Sequence, residues 1–310
     1  MRVLVVSNPR ATATTARERD VLTHALGSDA ELDVEETANR GHAAALACRA
    51  MRNGTDVVVA FGGDGTVNEV VNGLLTDGVH DNVPALGVVP AGSTNVFARA
   101  LGLPQTPIDA TAVVLEALRN GTRRPVSLGC VTLGADERWF IFAAGMGFDA
   151  AIVAGVEKWR GRGKTSSHAL YARVGIREFF KSDRRHPRLH VELPDGTRYD
   201  DIYFVLVTNT DPWTYVGSRP LHPTPDTSFD TGLGLYARRR MSAAGMLFSM
   251  ARLSGKRPYI GRRGAATGHD LDGLTVLADD PTPVQVDGDY LGPQEKLVFR
   301  TAANALKVLV

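Results

Sequence analysis

The sequence has 310 residues, of which 44% are hydrophobic and 22% are charged, and its formal net charge is +1. The length suggests two domains with sizeable cores, and the balanced charge excludes the strongly basic surface that a nucleic-acid partner would require. The two cysteines lie far apart in the sequence, which argues against a zinc site or a disulfide framework. Since no apolar run approaches the roughly 20 residues of a membrane helix, we expect a cytoplasmic protein.

The first 125 residues alternate strand and helix patterns, as is typical of a parallel sheet with crossover helices. The predicted strands are short apolar runs, and the predicted helices carry apolar residues three and four positions apart. In chain order these are strand 3–8, helix 14–27, strand 31–37, helix 42–51, strand 56–61, helix 66–75, strand 85–90 and helices 95–103 and 108–121. Residues 1–125 therefore predict an α/β domain.

Residues 126–300 predict a second domain that is mainly antiparallel β-sheet. The pair Asp195-Gly196 marks a hairpin between two apolar runs. The predicted segments are strands 126–133 and 138–144, the hairpin 188–209, strands 232–237, 274–278, 283–287 and 296–300, and helices near 149–181 and 242–253. The last strand, 306–310, is as apolar as the first, so we expect residues 301–310 to join the first domain.

The motif GGDGT at residues 62–66 follows a predicted strand and opens a predicted helix. Glycines at the end of a strand let backbone N–H groups approach an anion, and the next helix adds its positive N-terminus. The motif is neither a Walker loop nor a dinucleotide fingerprint, and a bare carboxylate repels phosphate. Asp64 therefore indicates a divalent cation or an attacking hydroxyl beside the phosphates. A tight Asp-Gly turn without a ligand is the alternative.

Two further loops follow strands that a parallel sheet would bring alongside this one. In the motif GSTN at residues 92–95, Ser93 and Thr94 can donate hydroxyl hydrogen bonds to phosphate oxygens, and Asn95 suits the N-cap of the next helix. After the first strand, Arg10 offers a guanidinium that suits phosphate, or is a solvated surface charge. Because ligands bind at the carboxyl ends of parallel strands, the three loops predict one phosphate site.

These motifs together resemble the diacylglycerol-kinase catalytic-domain family of lipid kinases, which includes bacterial diacylglycerol kinases and the sphingosine and ceramide kinases. The resemblance rests on NPRAT at 8–12, GGDGTVNEVVNG at 62–73 and PAGSTNVFARALGLP at 90–104, and it extends to GMGFDAAIV at 145–153 and VDGDYLG at 286–292. NAD kinases are more distant relatives that share the GGDG loop. The resemblance implies an N-terminal nucleotide-binding α/β domain, a C-terminal antiparallel β-rich lipid-binding domain, and ATP and Mg²⁺ as cofactors.

The resemblance also implies which residues bind the nucleotide. Asn8, Arg10 and Thr12 fall on the first nucleotide loop, and Thr37 falls near the adenosine. The other positions are Gly62, Gly63, Asp64, Gly65, Thr66 and Asn68 on the phosphate loop, and Ser93 and Thr94 on the second loop.

The late motif Asp287-Gly288-Asp289 supplies the implied catalytic acids. The last acid of this motif, often glutamate in the family, is the proposed proton acceptor, so Asp289 is predicted to be the general base. Transfer of a phosphoryl group to an alcohol needs such an acceptor. Asp64 and Asp287 are predicted to be direct or water-mediated partners of Mg²⁺. The simpler interpretation of Asp287-Gly288 is a hairpin turn, whose tip would still present Asp289.

Two positions depart from the family pattern. Val96 stands where an aspartate usually follows the asparagine of the second loop. Thr231 stands where some bacterial members have the acid of a structural Mg²⁺ site, and Asp230 lies one residue earlier. Asp230 is therefore the candidate ligand for a second metal ion.

Basic and aromatic residues alternate in the segment 157–181, which includes Arg160, Arg162 and Lys164, and a second basic cluster lies at 255–264. Such a composition suits an anionic bilayer surface, although ordinary solvated charges are the alternative. We therefore expect transient peripheral contact with a membrane. Exposed apolar edges in the second domain would favour a homodimer.

The resemblance as a whole implies an ATP-dependent phosphotransferase with an alcohol acceptor, a lipid kinase of phospholipid metabolism that acts on a diacylglycerol-like or sphingoid lipid. Two alternatives remain open. A soluble-metabolite kinase such as an NAD kinase shares GGDG, although the second loop and VDGD at 286–289 favour the lipid branch. A nucleotide-binding regulatory protein without catalysis is suggested by Val96, Thr231 and the short side chain of Asp289.

Overall fold

The apolar runs near the start of the chain form neighbouring strands of a parallel sheet in a computed structural model of the protein. The described residues divide into one unit of residues 1–128 and 302–310 and a second unit of residues 129–301. The predicted helices 14–27 and 242–253 lie largely outside the described residues. The structure describes residues 1–11, 20, 24–27, 31–161, 168–183, 186–217, 219–239, 242, 245, 253 and 264–310.

The sheet of the first unit contains β1 (Arg2–Ser7), β2 (Glu31–Glu36), β3 (Val57–Gly62) and β4 (Ala85–Pro90). Their order is β4–β3–β1–β2, and each neighbouring pair is parallel. The strands β3 and β4 are buried along their whole length, which explains their unbroken apolar sequences. Near the end of the chain, Val308 pairs in parallel with Leu86 and extends this sheet beyond β4.

In the described part of this unit, the helices are α1 (His42–Arg52), α2 (Asp64–Leu74), α3 (Val96–Ala100) and α4 (Pro107–Asn120). The sequence signals of α4 are clear. Thr106 accepts a hydrogen bond from the N–H of Asp109, and Pro107 occupies the first turn. Gly121 ends the helix in the left-handed conformation, with a φ of 69°.

The strands of this sheet end nearly level with one another. Ser7 lies opposite Phe61, and Gly62 lies opposite Pro90. The loops that follow β1, β3 and β4 therefore start from the same edge of the sheet, where parallel α/β sheets bind their ligands.

The strands from β5 onward are β5 (Arg124–Leu133), β6 (Asp136–Phe140), β7 (Ala143–Gly147), β8 (Leu189–Glu192), β9 (Arg198–Ile202), β10 (Phe204–Thr208), β11 (Thr214–Val216), β12 (Arg219–Leu221), β13 (Leu233–Arg238), β14 (Ala265–Leu271), β15 (Gly273–Val286) and β16 (Asp289–Val308). The second unit is built on antiparallel pairs of these strands. Their order in the sheet is β14–β13–β10–β7–β15–β16, with β8 also paired to β15.

Two helices, α5 (Phe148–Arg160) and α6 (His168–Lys181), replace the helical region predicted near 149–181. The predicted hairpin at Asp195-Gly196 joins β8 to β9, and Gly196 has a φ of 83°. The two strands predicted at 274–278 and 283–287 form the single strand β15. Among the described residues, no helix combines the length and the apolar character needed to cross a bilayer.

Candidate active site

A polar cavity of about 250 Å³ lies just beyond the carboxyl ends of β1, β3 and β4. The structure thus brings together the three loops that the sequence predicts as one phosphate site, and six of the predicted nucleotide-binding residues line the cavity. Among the described residues, the lining consists of Asn8, Arg10, Ala11, Gly63, Asp64, Gly92, Ser93, Thr94 and Asn95.

The GGDGT and GSTN loops touch each other through backbone atoms. A methyl group added at Gly92 would lie 2.7 Å from the Cα of Gly63, and one added at Gly63 would lie 3.2 Å from the Cα of Gly92. Beside this contact, the N–H of Ala91 donates to the carbonyl of Gly62 over 2.9 Å. Gly65 follows in the first turn of α2. The glycines at 63 and 92 therefore serve the contact between the loops, which the sequence did not reveal.

Asn95 closes the second loop on itself. Its side-chain oxygen accepts a hydrogen bond from the N–H of Gly92 over 3.0 Å, and its amide donates to the carbonyl of Gly92 over 2.9 Å. Its backbone is left-handed, with a φ of 50°, a conformation that asparagine adopts more readily than most residues. Asn95 occupies the predicted N-cap position, but its side chain does not cap α3.

Asp64 supplies that cap from the neighbouring loop. Its Oδ2 accepts a hydrogen bond from the N–H of Val96 over 3.0 Å, and its Oδ1 accepts one from the N–H of Phe97 over 3.1 Å. Burial raises the pKa of Asp64, while these two hydrogen bonds and the charge of Arg99 oppose the rise. The carboxylate therefore joins the two loops, in addition to facing the cavity.

Asn8 ties the first loop to the GGDGT motif. Its Nδ2 donates to the Oγ1 of Thr66 over 3.2 Å, and its Oδ1 accepts from the N–H of Arg10 over 2.9 Å. The backbone N–H of Asn8 donates to the carbonyl of Phe61 over 3.0 Å. These bonds hold the first loop so that the exposed Arg10 lines the cavity.

Thr37 and Asn68, two of the predicted nucleotide-binding residues, stand apart from this group. Thr37 follows β2, and its N–H donates to the carbonyl of Ser7 over 2.9 Å. Asn68 is buried in α2, where its side-chain oxygen accepts from the Nδ2 of Asn72 over 3.2 Å. Within the described part of the chain, neither Thr37 nor Asn68 is in the cavity lining. Thr12 lies outside the described residues.

Glu69 joins two helices of the first unit in a way that the sequence analysis missed. Its carboxylate, on α2, accepts hydrogen bonds from the N–H groups of Gly41 and Ala43 over 2.8 and 3.2 Å. These groups begin α1, whose N-cap residue is a glycine and whose first turn has no acid. The first N–H groups of a helix need an acceptor, and when the helix has no capping side chain of its own, this acceptor has to come from another element. The missing cap of α1 was therefore the available sequence signal.

The lining of the cavity fits an anion such as phosphate. It offers the guanidinium of Arg10 and the hydroxyls of Ser93 and Thr94, next to the N-terminus of the 11-residue helix α2. In the described residues, no group of three or more His, Cys, Asp or Glu side chains could hold a metal ion. Asp64 is a single carboxylate, and each of its oxygens keeps a lone pair beyond its backbone hydrogen bond. One such carboxylate suffices for Mg²⁺ when phosphates supply other ligands.

In the second unit, Asp287 and Gly288 form the turn between β15 and β16. Their φ angles of 48° and 80° are those of a two-residue hairpin turn. The buried carboxylate of Asp287 accepts hydrogen bonds from three successive N–H groups of residues 141–143, over 2.7, 3.0 and 3.0 Å. Asp287 therefore anchors the turn, and these contacts lend no support to its predicted role towards Mg²⁺.

Asp289 follows this turn and is more accessible than Asp287. Its side chain is 26% exposed, and its Oδ2 lies 3.9 Å from the Nη2 of Arg138. The carboxylate of Asp289 is therefore partly accessible to solvent, whereas the buried carboxylate of Asp287 is occupied by backbone hydrogen bonds.

Asp230 is exposed in the turn before β13. The neighbouring hydroxyl of Thr231 accepts from the N–H of Ser228 over 3.0 Å and donates to the carbonyl of Ser228 over 3.1 Å. These hydrogen bonds close the turn. The described residues provide no cluster of acids, histidines or cysteines that would add ligands to Asp230, so the predicted second metal gains no support here.

The basic segment predicted to meet a membrane is partly described. Arg160 is exposed at the end of α5. Arg162, Lys164 and nearly all of the cluster 255–264 lie outside the described residues.

On α6, two large apolar side chains are exposed: Ile176 is 55% exposed and Phe180 is 68% exposed. They lie four residues apart and so share one face of the helix. Arg173, Arg177 and Lys181 are also exposed on α6, one to three positions away from them. The helix therefore presents an apolar pair with positive charges along one side of it.

Part of the chain is similar to a known protein family. Residues 2–131 match the family model described as "Diacylglycerol kinase catalytic domain", and the resemblance predicted from the sequence is thereby confirmed. "Diacylglycerol kinase" of Bacillus subtilis is 43% identical over 117 residues, which are 38% of this chain and 35% of that protein. "Probable lipid kinase YegS-like" of Chromohalobacter salexigens is 36% identical over 182 residues, which are 57% of this chain and 53% of that protein. The matches thus span about a third to a half of the length of these relatives.

Solved structures resemble the chain over nearly its whole length. A diacylglycerol kinase from Bacillus anthracis has a TM-score of 0.72 at 19% identity and covers 99% of this chain and 96% of that chain. An NAD kinase from Archaeoglobus fulgidus in complex with ATP has a TM-score of 0.51 at 12% identity, over 100% of this chain and 94% of that one. The predicted fold class is confirmed: an α/β fold of the NAD kinase and diacylglycerol kinase kind, with a C-terminal antiparallel β-rich region.

Proposed function

We propose that this protein is an ATP-dependent lipid kinase that phosphorylates a hydroxyl of a diacylglycerol-like or sphingoid lipid. The observation that carries the proposal is the cavity where the loops at 8–11, 62–66 and 92–95 meet, because a polar, glycine-lined cavity beside a helix N-terminus suits a triphosphate. The family model over residues 2–131 and the names of the relatives support the same class of enzyme.

In this proposal, Arg10, Ser93 and Thr94 hold phosphate oxygens of ATP through charge and hydroxyl hydrogen bonds. Asn8 keeps the first loop in place. Asp64 is the carboxylate that would face Mg²⁺, and bound Mg²⁺ would supply neutralisation of the phosphate charge. The arrangement needs no further metal-binding side chain, because the phosphates are ligands themselves.

In the transfer, the bond between the γ-phosphorus and the oxygen that bridges to the β-phosphate breaks, and ADP leaves with its electron pair. A bond forms between the lipid hydroxyl oxygen and the γ-phosphorus, and the hydroxyl proton passes to a carboxylate. We assign that carboxylate to Asp289 because it is partly exposed, whereas three backbone hydrogen bonds hold Asp287.

A lipid acceptor resides in a bilayer, so the enzyme has to work at a membrane surface. The apolar pair Ile176 and Phe180 can insert into the interface, while Arg173, Arg177 and Lys181 attract anionic headgroups. We assign this face of α6 to contact with an anionic bilayer, on the cytoplasmic side.

The direct test incubates the purified protein with radiolabelled ATP and Mg²⁺ in parallel reactions. One contains diacylglycerol vesicles, one contains sphingosine vesicles, and one contains NAD. Label that appears in a lipid product supports the proposal. Label in NAD alone, or tight ATP binding without transfer to any acceptor, contradicts it in favour of a soluble-metabolite kinase or a regulatory protein.

The assignment of Asp289 has its own test. Asp289→Asn should lower kcat by about 10²- to 10⁴-fold, as the loss of a general base does, while the Kd for ATP changes less than about twofold. Glu295→Gln, which removes an exposed carboxylate from the same strand, is the matched control. A kcat that Asp289→Asn leaves at the wild-type value would refute the assignment.

A further inference from the structure

A buried polar connection runs from α5 to the turn that presents Asp289. Asp149 lies in the first turn of α5, and Gln285 lies near the end of β15, where it is 3% exposed. The Nε2 of Gln285 donates to the Oδ2 of Asp149 over 2.8 Å. The Oε1 of Gln285 accepts from the backbone N–H of Gly288 over 2.9 Å. One amide side chain therefore joins the helix to the turn.

The chemistry of the two partners fixes the orientation of the Gln285 amide. The backbone N–H of Gly288 can only donate, so it meets the amide oxygen. The amide NH₂ then faces Asp149, whose carboxylate accepts. Burial raises the pKa of Asp149 to about 6, and the hydrogen bond from Gln285 opposes the rise. The ionised carboxylate is thus the form that Gln285 stabilises.

Gly145 makes room for this contact. It lies in β7, opposite Gln285 in the antiparallel ladder. A methyl group at this position would lie 2.8 Å from the Oδ2 of Asp149 and 3.1 Å from the Nε2 of Gln285. A side chain at 145 would therefore push the two polar groups apart, which gives a second way to disturb the connection.

The turn is also held from another direction. The carboxylate of Asp287 accepts hydrogen bonds from the N–H groups of residues 141–143. Asp287 thus fixes the first residue of the turn, and Gln285 fixes the second, Gly288. Asp289 comes directly after these two anchors, so its position depends on both. Without Gln285, the left-handed peptide at Gly288 has lost its acceptor and can rotate.

We propose that Gln285 is a positioning residue: by bridging Asp149 and the N–H of Gly288, it fixes the turn that determines where the carboxylate of Asp289 lies. The inference rests on the proposed function, in which Asp289 accepts the proton. A misplacement of about 1 Å in a reacting group can cost on the order of 10²-fold in rate. Turnover should therefore depend on Gln285, while the affinity for ATP should not.

The first test replaces the bridging amide. Gln285→Met keeps the length and apolar volume of the side chain but removes both hydrogen bonds. We expect the N–H of Gly288 to exchange with solvent about tenfold faster in ¹⁵N NMR. We expect kcat to fall about 10- to 100-fold, with KM for ATP within about twofold. Gln294→Met, on the partner strand of the same hairpin, is the matched control and should change neither quantity.

Three further variants separate a lost contact from a folding defect, which thermal unfolding monitors. Asp149→Asn retains an oxygen that accepts from Gln285, so the N–H of Gly288 should keep its slow exchange to within about twofold. Asp149→Leu should lose it. Gly145→Ala leaves Gln285 unchanged and should accelerate the exchange as Gln285→Met does.

The outcomes are distinct. Unchanged exchange at Gly288 in Gln285→Met overturns the proposal whatever the activity. Faster exchange with wild-type kcat overturns the positioning role, because the turn would then move without consequence for transfer. If the wild-type protein phosphorylates no lipid, the proposed function fails, and the exchange experiment still decides whether Gln285 fixes the turn.

Discussion

Replacing Asp64 by asparagine tests two roles of one carboxylate. In the structure Asp64 lines the cavity, and its two oxygens accept hydrogen bonds from the N–H groups of Val96 and Phe97. Asparagine offers one acceptor oxygen and one NH₂ group, so one of the two N–H groups loses its acceptor and faces a donor. The variant should therefore weaken the cap of α3 as well as remove the charge in the cavity.

The cost to stability follows from these contacts. A hydrogen bond to a charged group contributes about 1.5–3 kcal/mol, and a carboxylate at a helix N-terminus adds about 0.3–1 kcal/mol. Burial of the carboxylate, which raises the pKa of Asp64, offsets part of this sum because the neutral amide loses less hydration. We expect Asp64→Asn to lower the free energy of unfolding by about 2 kcal/mol, and Tm by about 5 °C.

The assay has to report on the first unit. Trp139, Trp159 and Trp213, the three tryptophans of the chain, all lie in the second unit. Far-UV circular dichroism, which reports on the helices and strands of the first unit as well, should therefore be used to show the lowered transition. Asp109→Asn is the matched control, because Asp109 is an exposed acid in the first turn of α4.

The same variant should bind ATP in the presence of Mg²⁺ more weakly and lower kcat by about 10²-fold or more, as the loss of a charge-neutralising contact does. If Asp64→Asn melted within about 1 °C of the wild type, the capping role would be refuted. If kcat and ATP affinity were unchanged although Tm fell, Asp64 would be a structural residue only, and the proposed role towards phosphate would be wrong.

Three other outcomes are expected. Because burial raises the pKa of Asp149 from 3.8 to about 6, the folded state binds more protons than the unfolded state between these values, so the free energy of unfolding should fall by about 2 kcal/mol as pH rises from 4 to 6. Asp149→Asn should flatten that dependence in denaturant titrations. A methyl group at position 92 would clash with the backbone of Gly63, so Gly92→Ala should lower Tm by several degrees. The control Gly65→Ala places its methyl group in open space and should leave Tm unchanged. Equal Tm values for the two variants would contradict the contact between the loops. Replacing both Ile176 and Phe180 by serine should lower the affinity for anionic vesicles, measured by co-sedimentation, roughly tenfold. The control Ile108→Ser, at a position 63% exposed on α4, should leave this affinity unchanged. Equal losses of affinity would refute α6 as the contact surface.

Local patterns were sufficient for much of the fold. The buried runs at 57–62 and 85–90 read as strands because a parallel strand is apolar on both faces. Their parallel pairing then placed the loops at one edge, which is why the three loops of the cavity could be predicted together. Asp195-Gly196 indicated its hairpin through turn chemistry alone.

Two elements were misjudged for local reasons. The region 149–181 was predicted as one helical stretch, although Gly161, which ends α5, is a stop signal in the sequence. The sequence analysis predicts two strands on either side of residues 279–282, which include Pro281. In the structure β15 continues through them with a register shift against β16, which is where a strand tolerates proline.

The contacts that shape the candidate site were beyond prediction from local pattern. Asp64 meets a backbone N–H 32 residues later, and Gln285 meets an acid 136 residues earlier. Asp64 accepts from the backbone N–H of Val96, and every residue type except proline offers that donor. The identity of residue 96 therefore does not indicate the contact. Such long-range pairs depend on how loops pack after the sheet has formed, and the residue types involved fit many surroundings equally well.

The route of the chain has a consequence for synthesis. The sheet of the first unit is completed by residues near 308, whereas the 173 residues of the second unit, 129–301, are made in between. At about 5–20 residues per second, a ribosome needs roughly 10–35 s for that segment. During this interval β4 has an open hydrogen-bonding edge, so a nascent chain is exposed to strand-pairing errors until the residues near 308 emerge. Binding of a ribosome-associated chaperone to the open edge of β4 would matter most while residues 129–301 are being synthesised.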